Sequence, residues 1–285
     1  MKKIFVAGVA VLSAALVFAF DWPQNEISSD TFFSYFAQDR GGTISSSLVF
    51  SETHEVKAAG QGRVLAVLTD NAGGDFFEST LGNAVIISHD DNMMTVYANL
   101  DDSNEKERFK MRDVTSGTYL GKTGSSGWQM GEGCLEFQVV DVKNESFINP
   151  RVLMPRYGDE LELSIRNVTA INKKGERYNL GFQKNLDSGI YRLYRESQDI
   201  AMPFKTIVYV NGASVETLTY DVLLEKDGKI VTGGRTNYAV EDCYPEPGLQ
   251  LLGEVTIPKG KNEIAVVVGD INGLEKSIVY SIEAR

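Results

Sequence analysis

At 285 residues, with 42% hydrophobic and 24% charged residues, the chain is long enough for two folded domains of about 130 residues each and lacks the composition of a disordered protein. Its net charge of −11, from 28 basic and 39 acidic residues, becomes −13 if Lys2 and Lys3 are removed with a leader. So acidic a surface excludes nucleic acid and anionic lipid as partners, because both are bound by neutralising phosphate.

Met1 to Phe20 has the build of a secretory signal peptide: Lys2 and Lys3 form the positive end, Ile4 to Phe18 the apolar core, and Val17-Phe18-Ala19 a cleavage site. The apolar core is short for a membrane span, which needs about 20 residues. The expected product is an exported, periplasmic or otherwise extracytoplasmic protein of a diderm bacterium, with no stable membrane insertion after cleavage. Cys134 and Cys243 make no metal-type pair. In an oxidising compartment they either join the two halves or remain buried thiols.

Asp21 to Gly42 is a lead-in with an aromatic cluster, Phe32, Phe33, Tyr35 and Phe36, ending in Arg40-Gly41-Gly42. Short strands are then expected over Ser47 to Phe50, Glu55 to Ala59, Arg63 to Leu68, Ala84 to Ser88 and Met94 to Leu100, with glycines at the bends. Val64, Ala66 and Leu68 alternate with other residues, as do Val96, Ala98 and Leu100, which suits a sheet with one covered face. Asp101 to Arg112 is a charged stretch expected as an exposed connection. A glycine-punctuated region from Gly117 leads into a further strand marked by Phe137, Val139 and Val140, and Phe147-Ile148-Asn149-Pro150 closes this half. Pro155 and Gly158 place a boundary near Met154 to Gly158.

The second half is again β in pattern. Leu161, Leu163 and Ile165 alternate, and Thr206 to Val210 meets Asn211-Gly212. Thr217 to Leu224 runs to Asp227-Gly228 and is followed by Lys229 to Val231; Glu263 to Val268 and Ser277 to Ala284 flank Asn272-Gly273. Asn-Gly and Asp-Gly between alternating runs are hairpin signals, since both residues accept positive φ. About seven such strands predict an immunoglobulin-like or fibronectin-like β-sandwich. The expected organisation is all-β: a signal at 1–20, a β domain at 21–154 and a sandwich at 155–285.

Several segments of the first half, in order, carry a family resemblance. Val56-Lys57-Ala58-Ala59-Gly60-Gln61-Gly62-Arg63-Val64, Gly82-Asn83-Ala84-Val85-Ile86-Ile87-Ser88-His89 and Thr95-Val96-Tyr97-Ala98-Asn99-Leu100 are followed by the glycine turn Gly121 to Gly127, by Cys134-Leu135-Glu136-Phe137-Gln138-Val139 and by Asn149-Pro150. The stretch from about Trp22 to Met154 thereby resembles the LytM-type, or M23, peptidoglycan endopeptidases. That family hydrolyses peptide bonds with one zinc ion held by three protein ligands, flanked by helper histidines. The resemblance places the first ligand element on Thr43 to Ser47, so that Thr43 replaces a histidine and Ser47 an aspartate. Glu136 replaces the third ligand, Cys134 the first histidine of an "H-x-H" pair, and Asn99 the remaining helper.

All five functional positions differ, so neither a zinc ion nor any other cofactor is expected. Catalytic residues are expected to be absent, since two hydroxyls and a carboxylate neither suit zinc nor supply a base near neutrality. The two histidines, His54 and His89, fall outside the ligand positions, and His89 is expected in an ordinary surface or hydrogen-bonded role. What the resemblance implies is a pseudoenzyme that binds an envelope protein such as a cell-wall hydrolase. Alternatives are a peptidoglycan-binding module that does not cleave, and a residual metallo-endopeptidase with a rebuilt site. Tyr97, Asn99, Trp128 and Glu136 are the candidate cleft residues for binding, with Tyr97 and Trp128 read either as stacking platforms or as structural aromatics.

Overall fold

The computed structural model describes residues 19–52, 54–69, 79–129 and 134–285. The expected signal therefore lies outside the described residues except at Ala19 and Phe20. Phe20 is buried, its N–H donating to the Leu153 carbonyl at 3.3 Å and its ring set edge-on to His89 at 4.8 Å. No helix among the described residues is long and apolar enough to cross a membrane.

The chain is all-β. Its first half gives β1 (Phe32–Ser34), β2 (Leu48–Phe50), β3 (Glu55–Lys57), β4 (Gly62–Leu68), β5 (Asn83–Ser88), β6 (Met93–Leu100), β7 (Asp113–Val114), β8 (Tyr119–Lys122), β9 (Glu136–Asp141) and β10 (Ser146–Ile148). A one-turn helix, α1 (Glu105–Arg108), lies between β6 and β7, and another, α2 (Pro150–Leu153), follows β10. The second half gives β11 (Thr169–Asn172), β12 (Arg177–Asn179), β13 (Asn185–Leu186), β14 (Gly189–Glu196), β15 (Lys205–Val210), β16 (Ala213–Thr219), β17 (Val222–Lys226), β18 (Lys229–Gly233) and β19 (Asn237–Tyr238). After helix α3 (Val240–Cys243) come β20 (Leu249–Ile257), β21 (Gly260–Gly269) and β22 (Glu275–Ala284).

In the main sheet β9 is central. One edge pairs with β6 from Met93↔Asp141 to Ala98↔Glu136; the other is shared between β2, through Val49↔Glu136, and β10, through Phe147↔Val140. Alternation along β6 and β9 sends Tyr97, Phe137 and Val139 into a core with Val85 and Ile87, and leaves Ala98 and Glu136 on the opposite face. That face presents the candidate site.

Residues of the second half complete this sheet. The β17–β18 hairpin, turned by Asp227 (φ 52) and Gly228 (φ 72), pairs with β10 through Phe147↔Leu223 and Ile148↔Val222. Leu218, Tyr220, Leu223, Tyr238 and Leu251 enter the same apolar core as Phe36, Leu48 and Phe137. The rest of the second half is a sandwich of two sheets, β12-β11-β14-β20 and β13-β22-β21-β15-β16. Its own core is drawn from both sheets and includes Leu193, Leu252, Val266 and Ile282.

Three expectations are corrected in detail. The alternating Leu161, Leu163 and Ile165 form no strand. Leu163 is buried in the sandwich core, and the polar backbone of Ser164 is met by side chains: its N–H donates to Gln198 Oε1 at 2.8 Å and its carbonyl accepts from Arg195 Nη1. The run Thr217 to Leu224 is not one strand but breaks at Tyr220 and Asp221, whose carbonyls accept from Asn149 Nδ2 (2.9 Å) and the Asn149 N–H (2.8 Å), sending β17 to the other sheet. Finally, the charged connection Asp101 to Arg112 is not wholly exposed. Arg108 is fully buried, and its Nη2 donates to the Asp101 carbonyl at 2.6 Å.

Candidate functional site

Three neighbouring strands deliver their ends to one place: Ser47 just before β2, Glu136 at the start of β9 and Asn99 near the end of β6. Opposite Glu136 on β6 stands Ala98, small enough to leave the carboxylate room. Glu136 is 8% exposed and accepts from four donors. Arg40 grips it with both terminal nitrogens, Nη1 on Oε1 and Nη2 on Oε2, the latter at 2.9 Å. Ser47 Oγ donates to Oε1 at 2.7 Å and Gln129 Nε2 to Oε2 at 2.6 Å, while Arg40 Nη1 also reaches Ser47 Oγ at 3.2 Å. Burial opposes the charge on Glu136, but the Arg40 guanidinium, Ser47 and Gln129 outweigh it and hold the carboxyl below its ordinary pKa. The same ion pair raises the pKa of Arg40. Bidentate geometry of this kind is the strong form of a charge-assisted hydrogen bond.

Arg40 arrives on a tight turn in which its own N–H donates to the Thr43 carbonyl at 2.9 Å and Asp39 bridges Ile44. Thr43 therefore serves the site through its carbonyl, and its side chain is exposed. Of the five family positions, Ser47 and Glu136 meet through their side chains. Asn99 and Cys134 adjoin them as a second pair, Asn99 Nδ2 donating to the Cys134 carbonyl at 2.7 Å.

Asn99 works as a staple. It sits at φ 64, which asparagine tolerates better than most residues, and its Oδ1 accepts the Gly127 N–H at 2.9 Å while its carbonyl accepts the Gly124 N–H at 2.7 Å. Both ends of its amide are thus engaged. Cys134 is 2% exposed, and burial pushes its thiol pKa up, away from the reactive thiolate. Neither it nor buried Cys243 is in a disulfide.

Tyr97 does not stand in the cleft. It is fully buried on the core face against Phe137 at 5.2 Å between ring centres, and its hydroxyl accepts the Ala59 N–H at 2.7 Å. Its ring therefore offers no stacking platform, and it is the structural aromatic of the two readings. Trp128, by contrast, is 66% exposed. Both histidines lie away from Glu136. His54 Nε2 approaches Glu52 at 3.2 Å, and His89 spans the Gln61 carbonyl and Thr95 Oγ1, each at 2.7 Å. Because Gln61 can only accept, His89 Nδ1 carries a proton, and burial lowers the pKa of the ring toward the neutral form.

The glycine turn is locked onto the same floor. Gly82 has φ +63, and an added Cβ would lie 2.3 Å from Ser126 C and 2.4 Å from Gly127 N. Gly82→Ala is therefore expected to cost about 3 kcal/mol or more in denaturant unfolding, combining left-handed strain with a backbone clash that no rotamer relieves.

Zinc requires three protein ligands, rich in imidazole or thiolate, and an open position. Here a serine, a carboxylate saturated by a guanidinium and a threonine turned outward stand at the expected ligand positions, so the donor set does not fit. Among the described residues no group of three His, Cys, Asp or Glu is placed to hold a metal ion. Sequence reasoning missed Arg40 and Gln129. The available signal was the lone cation of Arg40-Gly41-Gly42 shortly before the first expected ligand position, with an otherwise unbalanced carboxylate at the third.

Comparison with known proteins gives the lineage. The model of peptidase family M23 matches residues 46–150, and a second family model, which carries no description, matches residues 162–285. A protein of Treponema pallidum (strain Nichols), described as uncharacterized, is 32% identical over 139 residues, covering 45% of this chain and 92% of its own. The chain belongs to peptidase family M23, as a degenerate LytM-type member without the zinc ligands.

Similar solved structures include the SpoIIIAH–SpoIIQ complex, at 17% identity over 47% of this chain and 99% of that one, with a TM-score of 0.37. The catalytic domain of the prophage-encoded M23 protein EnpA from Enterococcus faecalis is 24% identical over 45% and 92%, with a TM-score of 0.34. A zinc-containing peptidase from Vibrio cholerae is 18% identical over 39% and 37%, with a TM-score of 0.27.

Proposed function

We propose that this is an exported, non-catalytic envelope protein of a diderm bacterium, in which the M23-like domain of residues 21–154 serves as a scaffold for binding a partner protein such as a cell-wall hydrolase. One observation carries the reading. The carboxylate at the third ligand position is neutralised by Arg40 and fully hydrogen-bonded, so the chemistry that would hold and polarise a zinc-bound water has been replaced by a closed ion pair. A frame retained around a neutralised centre has its surfaces left to offer.

The test is twofold. The purified mature protein, incubated with zinc and dialysed, is expected to retain no stoichiometric metal by elemental analysis and to release no muropeptides from sacculi. Stoichiometric zinc with chelator-sensitive release of peptidoglycan would overturn the reading. A second reading, binding of peptidoglycan without cleavage, draws on Trp128, whose exposed indole is suited to stacking on sugar or peptide. Sacculus pull-down lost on Trp128→Ala would favour it over partner binding.

A further inference from the structure

Beside the former metal cleft, a groove of about 500 Å³ lies between the two halves. We propose that this groove docks a basic segment of a partner polypeptide, anchored by a bulky apolar side chain. The proposal rests on the partner-binding reading above and adds the place and the chemistry.

The groove is built before anything binds. Across it, Tyr244 Oη donates to the Ala37 carbonyl at 2.6 Å, and Gln38 Nε2 donates to the Asp199 carbonyl at 2.9 Å, so its walls are tied together at two points. A preformed groove spares a ligand the cost of ordering it. Its apolar lining includes Phe33, Met202 and Tyr244. Phe33, 47% exposed, projects from β1, which pairs with β2 on one side only among the described residues. An extended segment can therefore lie along β1 and bury a large side chain beside Phe33.

Charge selects the occupant. Among the residues lining the groove Arg40 is the one cation, and it is committed to Glu136. Glu246 is held by Arg177 at 2.6 and 2.8 Å. Asp39 and Asp199 are both exposed, and among the described residues neither carboxylate has a hydrogen-bond or ion-pair partner. Two uncompensated carboxylates flanking an apolar floor, on a chain of net charge −11, attract lysine or arginine and repel an anionic polymer.

The probe is a fluorescein-labelled Lys-Trp-Lys-Leu-Lys peptide, titrated by anisotropy into the whole mature protein beside its glutamate counterpart. The lysine peptide is expected to bind saturably, to weaken with salt, and to lose about tenfold in affinity in Asp39→Lys/Asp199→Lys. It should be bound normally by Glu263→Lys/Glu283→Lys, which makes the same charge change on exposed residues of the sandwich. Equal binding of the glutamate peptide, or equal loss in both double variants, would overturn the proposal; unchanged thermal melting shows that each variant is folded.

Crosslinking in envelope extracts separates the two levels. A partner captured equally by the wild type and by the Asp39/Asp199 variant sinks the groove and leaves the partner-binding reading standing. No partner captured by the wild type removes both.

Discussion

Arg40→Ala is expected to destabilise the protein by about 2–3 kcal/mol. Truncating one member of a buried ion pair costs about 3–5 kcal/mol, because the charge left behind is uncompensated. Here the Arg40 side chain is 34% exposed and that of Glu136 10%, so solvent recovers part of the loss. Glu136→Gln should cost less, since Arg40 can turn to water while the amide still fills the site. The double variant Arg40→Met/Glu136→Gln should recover most of the loss, because the desolvated charge has gone. Chemical denaturation of the wild type, Arg40→Met, Glu136→Gln and the double variant closes a cycle that gives the coupling energy directly. An Arg40→Ala variant as stable as the wild type would show that the ion pair does not hold the former metal position.

Arg40→Ala should also differ from the wild type in the sign of its pH dependence. In the wild type Glu136 has a folded pKa below its ordinary value of 4.5. The unfolded chain thus binds the proton first as pH falls; the stabilisation is complete above 4.5 and is lost as pH drops through the lowered folded pKa. Burial is the largest single influence on the group, so without Arg40 it is expected to outweigh Ser47 and Gln129 and to push the pKa above its ordinary value. The variant should then lose stability as pH rises from about 4.5, where the wild type holds its own. Urea midpoints measured between acid and neutral pH for the two proteins test this, and parallel curves would refute it.

The strands of the first half were legible because alternation and glycine punctuation both pointed to them, and β4, β5, β6 and β9 fall within a residue or two of their expected limits. Four misjudgements share a cause: in each, a local pattern had more than one tertiary solution. Tyr97 looked like a cleft residue by proximity to Asn99, but parity decides otherwise, since Glu136 stands opposite Ala98 and Tyr97 must face the core. Alternation at Leu161 to Ile165 could not reveal that Arg195 and Gln198 would take the hydrogen bonds a neighbouring strand would have made. Nothing periodic marks the break at Tyr220 and Asp221, because both sides of it remain β. Arg40 escaped notice because family positions direct attention to lost ligands, whereas its role arises from a turn that swings a residue outside the ligand pattern onto Glu136.

Leu223→Ala, in the half of the chain without the candidate site, should destabilise the half that carries it. Leu223 is fully buried, pairs with Phe147 of β10 and belongs to the core that contains Phe137 and Leu48. Removing its isopropyl group is expected to cost about 2–5 kcal/mol, the spread reflecting how far the site can collapse. The consequence for cooperativity is larger than the number. Residues 21–154 expressed alone would leave β10 without β17 as a sheet neighbour and open the shared core where Leu218, Tyr220, Tyr238 and Leu251 now close it. That fragment should be insoluble or molten. In the whole chain, calorimetry should show one transition, lowered as a unit by Leu223→Ala, with the van't Hoff and calorimetric enthalpies in agreement. Two separate transitions, or a soluble fragment of native stability, would show that the hairpin merely rests on the first half. If the single transition holds, the β17–β18 hairpin links the sandwich to the sheet that carries Glu136, and the groove between the halves lies beside a fixed joint.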